Sequence, residues 1–182
     1  MDFSEPQKNI EQLELKPGER VADLGCGVGA YSLAAAPLVG VDGKVYAVDI
    51  QKDLLERLRQ EADRQGWRNI EVVWGDVERV SGSGLADGLV DAVIMANVLF
   101  MTKSVYTTVA EVKRILKGRG RLLVIDWSES FGGLGPQPGD VFDKNKAKQV
   151  FEGNGFTLLR EFPAGDHHYL SLIHISEPTR PY

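Results

Sequence analysis

The chain has one cysteine, Cys26, among its 182 residues. A single cysteine excludes a disulfide framework within the chain, and it excludes metal sites built from paired cysteines. It fits a reducing compartment, so we expect the protein in the cytoplasm. No apolar run approaches the roughly 20 residues that a membrane-spanning helix needs. The acidic, polar N-terminus is unlike a signal peptide.

The chain also has fewer basic than acidic residues. Lysine and arginine total 21 against 26 acidic residues, which gives a net charge of −5. Because the electrostatic field of a net negative protein does not attract phosphates, we expect no nucleic-acid partner. We expect no metal site either, since the adjacent His167 and His168 would point to opposite faces of a strand. The length allows one domain with a substantial core.

Three alternating glycines after a short hydrophobic strand are the strongest feature that is present. The run reads Asp23-Leu24-Gly25-Cys26-Gly27-Val28-Gly29, and an alanine-rich segment typical of a helix follows it. Glycine lets the backbone turn sharply and approach a ligand closely. A helix N-terminus offers unpaired amides. The loop therefore predicts a site for a nucleotide-like cofactor.

The glycines alone leave two cofactors open. Together with Ala30 they satisfy the dinucleotide fingerprint, so an NAD-dependent oxidoreductase is one interpretation. Asp23, however, ends the strand just before the loop, and a buried carboxylate there would repel a pyrophosphate by an energy on the order of several kcal/mol. The same carboxylate would attract the ammonium and sulfonium groups of S-adenosylmethionine (SAM). Charge therefore favours SAM over NAD.

Strand and helix patterns alternate about every 25 residues along the chain, which predicts a mostly parallel sheet covered by helices on both faces. The predicted strands are 20–24, 44–49, 69–74, 90–95, 121–127 and 156–162. The predicted helices are 5–15, 30–36, 51–65, 105–116 and 143–154. A Gly/Pro-rich loop at 127–139, together with the N-terminal helix, is predicted to border the pocket for a second substrate.

Carboxylates follow three consecutive predicted strands, namely Asp23, Asp49 and Asp76. In open α/β sheets ligands bind at this carboxyl edge. Asp49 lies 20 residues after Gly29, where a carboxylate can reach ribose hydroxyls. Asp76 could accept a hydrogen bond from the exocyclic amine of an adenine. The three residues together predict an adenosine site.

Five motifs, in order, resemble those of class I SAM-dependent methyltransferases. They are residues 21–29, 45–50, 75–76, 90–93 and 116–122, and the resemblance runs from about Pro17 to Phe162. It is nearest to small-molecule methyltransferases related to the ubiquinone and menaquinone C-methyltransferases. The resemblance implies a Rossmann-like, three-layer α/β/α sandwich around a mostly parallel seven-stranded sheet. Its final strand is antiparallel, and the C-terminal tail puts the completeness of that strand in question.

The resemblance also implies roles for individual residues. Asp23 and the glycine loop would hold the methionine portion of SAM, and Asp49 would hold the ribose. Ile50 would pack on the adenine, with Asp76 and Val77 at its edge, and Asn97 would line the methyl-transfer side. The implied cofactor-binding set is Asp23, Gly25, Cys26, Gly27, Gly29, Asp49, Ile50, Asp76, Val77 and Asn97.

The function expected from these features is transfer of a methyl group from SAM to a small-molecule acceptor by in-line displacement. The cofactor carries the chemistry, and the protein supplies alignment and excludes water. No catalytic residue is assigned, although Asp126, Glu129, His167 and His168 are candidates for a base. A SAM-binding module without catalysis is the second alternative. The acceptor, the methylated atom and the oligomeric state cannot be read from the sequence.

The last residues do not follow the strand and helix pattern. We expect a methyltransferase domain at 1–169 and an irregular tail at 170–182, because the segment after Ile175 has two prolines and no periodicity. The tail resembles translated sequencing-adapter read-through, as found on truncated metagenomic reading frames. We therefore expect the tail to have no part in the function.

Overall fold

The structure, a computed structural model, describes residues 5–133 and 135–176. Within these residues it has seven strands and five α-helices. The strands are β1 (Arg20–Leu24), β2 (Lys44–Asp49), β3 (Ile70–Trp74), β4 (Val90–Ala96), β5 (Leu116–Trp127), β6 (Phe156–Pro163) and β7 (His168–Ile175). The helices are α1 (Pro6–Glu11), α2 (Ala30–Val39), α3 (Lys52–Gln65), α4 (Val105–Ile115) and α5 (Lys144–Gly153).

All seven strands form one sheet in the order β3-β2-β1-β4-β5-β7-β6. Strands β1 to β5 pair in parallel, whereas β7 runs antiparallel to both of its neighbours, β5 and β6. The central strands are apolar on both sides because helices cover both faces. The prediction of a mostly parallel seven-stranded sheet with an antiparallel strand is confirmed.

Two layers of helices sandwich this sheet. Helices α4 and α5 pack on one face, where Val112 and Phe151 join sheet residues such as Val93 in one buried cluster. Helices α1 and α2 pack on the other face, around Ile94 and Leu123. Helix α3 buries Leu55 and Leu58 against Ala47 of β2 on that same face. The three layers expected from the sequence are therefore present.

The C-terminal segment differs from the irregular tail expected from Leu170 onward. Residues 168–175 form β7, a strand that pairs on both sides. Leu170 and Leu172 face the cluster under α1 and α2, whereas Tyr169 and Ile173 face the cluster under α4 and α5. The expectation gave weight to the two prolines of the tail, and these, with all of residues 177–182, lie outside the described residues.

The first helix is also shorter than expected. It ends at Glu11, four residues before the predicted end, and the chain turns at Glu14, which has a φ of 49°. Leu13 is nevertheless fully buried beside α2. The apolar spacing from residue 10 to residue 15 therefore indicates which side chain is buried, not that the helix continues to residue 15. Strand β5 begins at Leu116 rather than 121, since Leu116 already pairs with Val90.

Candidate active site

The glycine loop joins β1 to α2 and is hydrogen-bonded to the neighbouring strand β2. The backbone amides of Gly25 and Cys26 both donate to the carbonyl oxygen of Val48 at the end of β2, at 2.8 and 3.0 Å. Gly29 has a φ of +81°, and a Cβ atom there would collide with the side chain of Leu58. Gly27 has a φ of +54°, but a Cβ atom there would meet nothing within 4 Å. Gly29 therefore serves packing, whereas Gly27 faces open space.

A cavity of about 290 Å³ lies at the carboxyl ends of β1 to β4, and we call it the cofactor cavity. Six of the predicted site residues line it, namely Gly25, Gly27, Asp49, Ile50, Asp76 and Val77. The other four predicted residues, Asp23, Cys26, Gly29 and Asn97, are not among its lining residues. Most of the exposed lining is apolar, and the polar groups are few. The structure thus brings the ends of β1, β2 and β3 together around one space.

Asp49 fastens the glycine loop to the start of α3. Its Oδ2 accepts a hydrogen bond from the Gly27 amide at 2.8 Å, and its Oδ1 accepts one from the Gln51 amide at 2.9 Å. A carboxylate has about four lone-pair positions, so both oxygens retain capacity for a ligand. Asp49 therefore shapes the loop and still presents acceptors to the cavity that it lines.

Asp23 lies behind the loop. Its side chain is buried, with 2% of the residue exposed, and its Oδ2 accepts a hydrogen bond from the Ser32 hydroxyl at 2.6 Å. Burial raises the pKa of Asp23 to about 6, although the Ser32 hydrogen bonds partly oppose this and nearby Asp49 adds to it. The group is thus mostly ionised at neutral pH.

Cys26 is also turned away from the cavity, and it packs in the cluster of Leu55 and Leu58. Burial raises the pKa of its thiol, and the nearby carboxylates of Asp23 and Asp49 raise it further. The thiolate form is therefore disfavoured, and Cys26 acts as a small packing residue rather than a nucleophile.

Asp76 stabilises the turn that follows β3. Its Oδ1 accepts a hydrogen bond from the Glu78 amide at 3.0 Å, and its Oδ2 accepts one from the Arg79 Nε at 3.1 Å. This turn places Val77 and Glu78 in the lining of the cofactor cavity. Asp76 therefore lines the cofactor cavity at the carboxyl edge of the sheet, while both of its carboxylate oxygens accept hydrogen bonds from residues of the turn.

The segment from Val98 to Ser104 forms the far wall of the cofactor cavity, through Val98, Met101 and Thr102. Two carboxylates hold it in place. Asp126, at the end of β5, accepts a hydrogen bond from the Leu99 amide at 2.8 Å. Glu78 accepts hydrogen bonds from the amides of Lys103 and Ser104, at 2.8 and 2.9 Å.

Sequence reasoning missed this wall and its anchors. Val98, Met101 and Thr102 carry no motif, and Glu78 reaches its partners about 25 residues along the chain. The one available signal was Asp126, an acidic residue at the end of an otherwise apolar strand. Burial raises its pKa to about 6, against the opposing effect of the amides that donate to it.

Asn97 stands between β4 and this wall. It is not glycine, yet its φ is +59°, and its amide donates to the Ile125 carbonyl at 2.8 Å. Its Oδ1 is buried and has no hydrogen-bond partner among the described residues. A buried polar atom without a partner costs about 1–3 kcal/mol. The left-handed backbone and the unpaired acceptor therefore make Asn97 a locally costly position next to the wall, although it does not line the cofactor cavity.

A second cavity, of about 770 Å³, lies at the ends of β5 and β6 and the start of β7, and we call it the distal cavity. His168 is among its lining residues and is 6% exposed, and its ring lies 4.2 Å from the Trp127 ring. Neither ring nitrogen has a hydrogen-bond partner among the described residues. Burial lowers the pKa of His168, with a smaller effect from His167, so the ring is neutral at pH 7.

The other candidate bases have partners. His167 Nδ1 lies 2.8 Å from Glu129 Oε1, and its ring stacks on Phe131 at 3.9 Å. Asp126 accepts from Trp127 as well as Leu99. In the part of the chain that the structure describes, no cluster of three or more potential ligands could hold a metal ion. None of the helices in that part is both long and apolar enough to cross a bilayer.

Comparison with known proteins agrees with this geometry. Residues 15–167 match the family described as the methyltransferase domain. Demethylmenaquinone methyltransferase of Symbiobacterium thermophilum is 28% identical over 122 residues, which are 67% of this chain and 48% of that protein. Aklanonic acid methyltransferase DauC of Streptomyces sp. is 46% identical over 61 residues, 34% of this chain and 28% of that protein. The chain thus spans about half the length, or less, of these relatives.

Solved structures share the whole fold. A SAM dependent methyltransferase from Aquifex aeolicus is 27% identical with a TM-score of 0.86, and 95% of this chain and 90% of that chain are covered. The YcgJ protein from Bacillus subtilis, at 16% identity, has a TM-score of 0.76 over 96% of this chain and 99% of its own, which shows the fold alone. The predicted resemblance is therefore confirmed. The chain belongs to the methyltransferase-domain family.

Proposed function

We propose that the protein binds SAM in the cofactor cavity and transfers its methyl group, by in-line displacement, to a small-molecule acceptor. The observation that carries the proposal is the pairing of Gly27 with Asp49. Gly27 presents a backbone without a side chain to the cavity, and Asp49 presents carboxylate acceptors beside it. This pairing lies in a chain whose residues 15–167 match the methyltransferase-domain family.

The residues of the cavity fit the parts of SAM. Asp49 has acceptor capacity for the ribose hydroxyls. The exposed Ile50 and the partly buried Val77 offer apolar contact to the adenine. The open side of Gly27 leaves room for the methionine portion. Asp23, ionised behind the loop, favours a cationic ligand over an anionic one. The same negative charge would repel a pyrophosphate, which argues against NAD.

The protein's own contribution to methyl transfer is placement. When bound, SAM supplies an activated methyl group, so the enzyme needs to align the acceptor and exclude water. The wall from Val98 to Thr102 encloses the cavity on the side of β4 and β5, and Asp126 and Glu78 keep it rigid.

Isothermal titration calorimetry of the full chain with SAM, S-adenosylhomocysteine and NAD tests the proposal. SAM and its demethylated product should bind at least about tenfold more tightly than NAD, a difference of about 1.4 kcal/mol. Tight binding of NAD without binding of SAM would overturn the proposal. Transfer of labelled methyl from SAM to members of a metabolite panel then separates an enzyme from a binding module.

A further inference from the structure

Glu111 is a buried carboxylate in α4 that does not line the cofactor cavity. The residue is 2% exposed, and Arg114, one turn later, donates to both of its oxygens, from Nε at 2.9 Å and from Nη2 at 2.6 Å. Burial acts to raise the pKa of Glu111, but hydrogen bonds from Arg114 and Ser83 lower it to about 2. Glu111 is therefore charged at neutral pH, and it is paired.

Both oxygens of Glu111 also bind the loop that joins β3 to β4. Oε2 accepts a hydrogen bond from the Ser81 amide at 3.0 Å, and Oε1 accepts two from Ser83, from the amide at 3.0 Å and from the hydroxyl at 2.6 Å. Ser81 has a φ of +56°, a left-handed conformation that residues other than glycine keep only where surrounding contacts hold them. Glu111 supplies such contacts, so it fixes the conformation of residues 81–83.

Residues 81–83 in turn support one wall of the cofactor cavity. The Asp76 amide donates to the Gly82 carbonyl oxygen at 2.8 Å. Gly75 also packs closely on this carbonyl, because a Cβ atom at Gly75 would lie 2.6 Å from the oxygen. Residues 75–78 all line the cavity. A displacement of residues 81–83 would therefore displace that wall.

A second contact joins the same loop to the start of α4. Glu78 accepts hydrogen bonds from the amides of Lys103 and Ser104. Met101 and Thr102, just before these amides, line the far wall of the cavity. The loop after β3 and helix α4 therefore form one hydrogen-bonded unit that includes parts of both walls.

We propose that Glu111 is a positioning residue for the cofactor, since it fixes the loop that holds Asp76 and Val77 beside the adenine. That the cofactor is SAM rests on the proposed function. Glu111 acts only through the loop, because it is not among the lining residues of the cavity. Removal of its charge should therefore weaken recognition of the adenine, whereas loss of apolar packing elsewhere on α4 should not.

Calorimetric titration of Glu111→Gln and Val112→Ala tests this difference. Val112 is fully buried in the core at the next position of α4, so both variants lose stability, but only Glu111→Gln alters the loop. The ligands are S-adenosylhomocysteine and its analogue without the exocyclic amine of the adenine, at a temperature where all proteins are folded. The wild type and Val112→Ala should prefer S-adenosylhomocysteine by at least about tenfold. Glu111→Gln should bind it at least about tenfold more weakly, with a preference below about threefold.

Hydrogen–deuterium exchange without ligand separates this inference from the proposed function. The Asp76 amide is bonded to Gly82 and not to Glu111, so its exchange rate reports whether Glu111 acts through the loop. In Glu111→Gln this amide should exchange at least about tenfold faster than in the wild type, and in Val112→Ala by less than about threefold. Failure of the wild type to bind SAM would overturn the proposed function, while faster Asp76 exchange in Glu111→Gln would still show that Glu111 fixes the loop.

Ser83→Ala keeps the test decisive if Glu111→Gln fails to fold. It removes the hydroxyl that donates to Glu111 and keeps the Ser83 amide. Its control is Ser81→Ala, at an exposed position whose amide also remains. Ser83→Ala should weaken binding of S-adenosylhomocysteine about threefold, and Ser81→Ala should leave it unchanged. Wild-type affinity together with wild-type Asp76 exchange in Glu111→Gln, or in Ser83→Ala where it alone folds, would overturn the positioning role.

Discussion

The carboxyl edge of the sheet has two halves that are built differently. In the cofactor half, at the ends of β1 to β4, the carboxylates of Asp49 and Asp76 accept hydrogen bonds from the chain itself. In the distal half, at the ends of β5 and β6 and the start of β7, both ring nitrogens of His168 are buried without a partner among the described residues. The first half therefore satisfies its strand-end carboxylates within the chain, although the buried Oδ1 of Asn97 has no partner among the described residues, whereas the second leaves a whole imidazole ring without a hydrogen bond there.

Connectivity explains the difference. In the cofactor half each strand leads into a short loop, and strand-end carboxylates can reach the amides of the neighbouring loop, as Asp49 reaches Gly27. In the distal half β7 is inserted antiparallel between β5 and β6, so the cavity is bordered by the start of one strand and the ends of two others. Its lining residues come from distant parts of the chain.

The largest expected effect is on the cofactor half. Gly27→Val places a branched side chain in the open space beside Asp49, so SAM affinity should fall by more than about 100-fold, or 2.7 kcal/mol. Calorimetric titration with SAM measures the loss. Unchanged affinity would remove the glycine loop from the SAM-binding site.

Gly18→Val is the matched control for this change. Gly18 also has a positive φ, +86°, and a Cβ atom there would likewise meet nothing within 4 Å. It lies before β1, at the opposite edge of the sheet. Both variants should carry a similar backbone strain of about 1–2 kcal/mol, whereas only Gly27→Val should lose SAM binding.

The next largest effect tests whether the distal half is a folded part of the domain. Leu170 is 1% exposed in the cluster under α1 and α2. Leu170→Ala should lower the free energy of unfolding by about 2–5 kcal/mol, measured by urea denaturation, because it removes buried contacts and leaves a cavity.

Leu159→Ala on β6 makes the same chemical change at a residue that is 49% exposed. It should cost less than about 1 kcal/mol. Equal, small losses for the two variants would mean that β7 contributes little to stability, and that the irregular tail expected from the sequence describes the segment better.

A smaller effect on SAM affinity tests the role of Asp49 in the cofactor half. Asp49→Asn removes the charge and replaces one acceptor oxygen by a donor, so SAM binding should weaken by about 1.5–3 kcal/mol, or roughly 10- to 150-fold. Asp53→Asn, at an exposed position in the first turn of α3, is the control and should bind SAM as the wild type does. A loss below about 0.5 kcal/mol for Asp49→Asn would place the ribose elsewhere.

The two halves also differed in how far the sequence predicted them. The glycine loop, Asp49 and Asp76 could be found because parallel strands bring consecutive strand ends to one edge, and glycine spacing is visible in the sequence. Six predicted residues indeed line one cavity. Asp23 and Cys26 were placed by the same pattern, but the pattern does not say which side of the loop a side chain occupies.

The wall from Val98 to Ser104 and the distal cavity could not be predicted from the sequence, because they depend on long-range contacts. Glu78 meets Lys103 and Ser104, and His168 meets Trp127, only because of how the loops and the antiparallel strand pack. Such long-range contacts leave no periodicity. Strand β7 itself alternates between two buried clusters, so its pattern was present but was outweighed by the prolines after it.

The smallest effect concerns Asp126, which lies at the boundary of the two halves and accepts hydrogen bonds from Leu99 on one side and Trp127 on the other. Burial raises its pKa from 3.8 to about 6. Between these values the folded protein holds a proton that the unfolded chain has lost. The contribution of Asp126 to the free energy of unfolding therefore decreases as the pH rises toward and through 6.

Comparison of the wild type with Asp126→Asn isolates this contribution, because Asp23, whose pKa is also raised to about 6, is common to both proteins. Between about pH 7.5 and about pH 5 the wild type should gain about 1.4 kcal/mol relative to the variant in urea denaturation. Asp140→Asn, at an exposed position, is the control for loss of a surface carboxylate. A difference that stays flat with pH would mean that Asp126 ionises as an exposed carboxylate does.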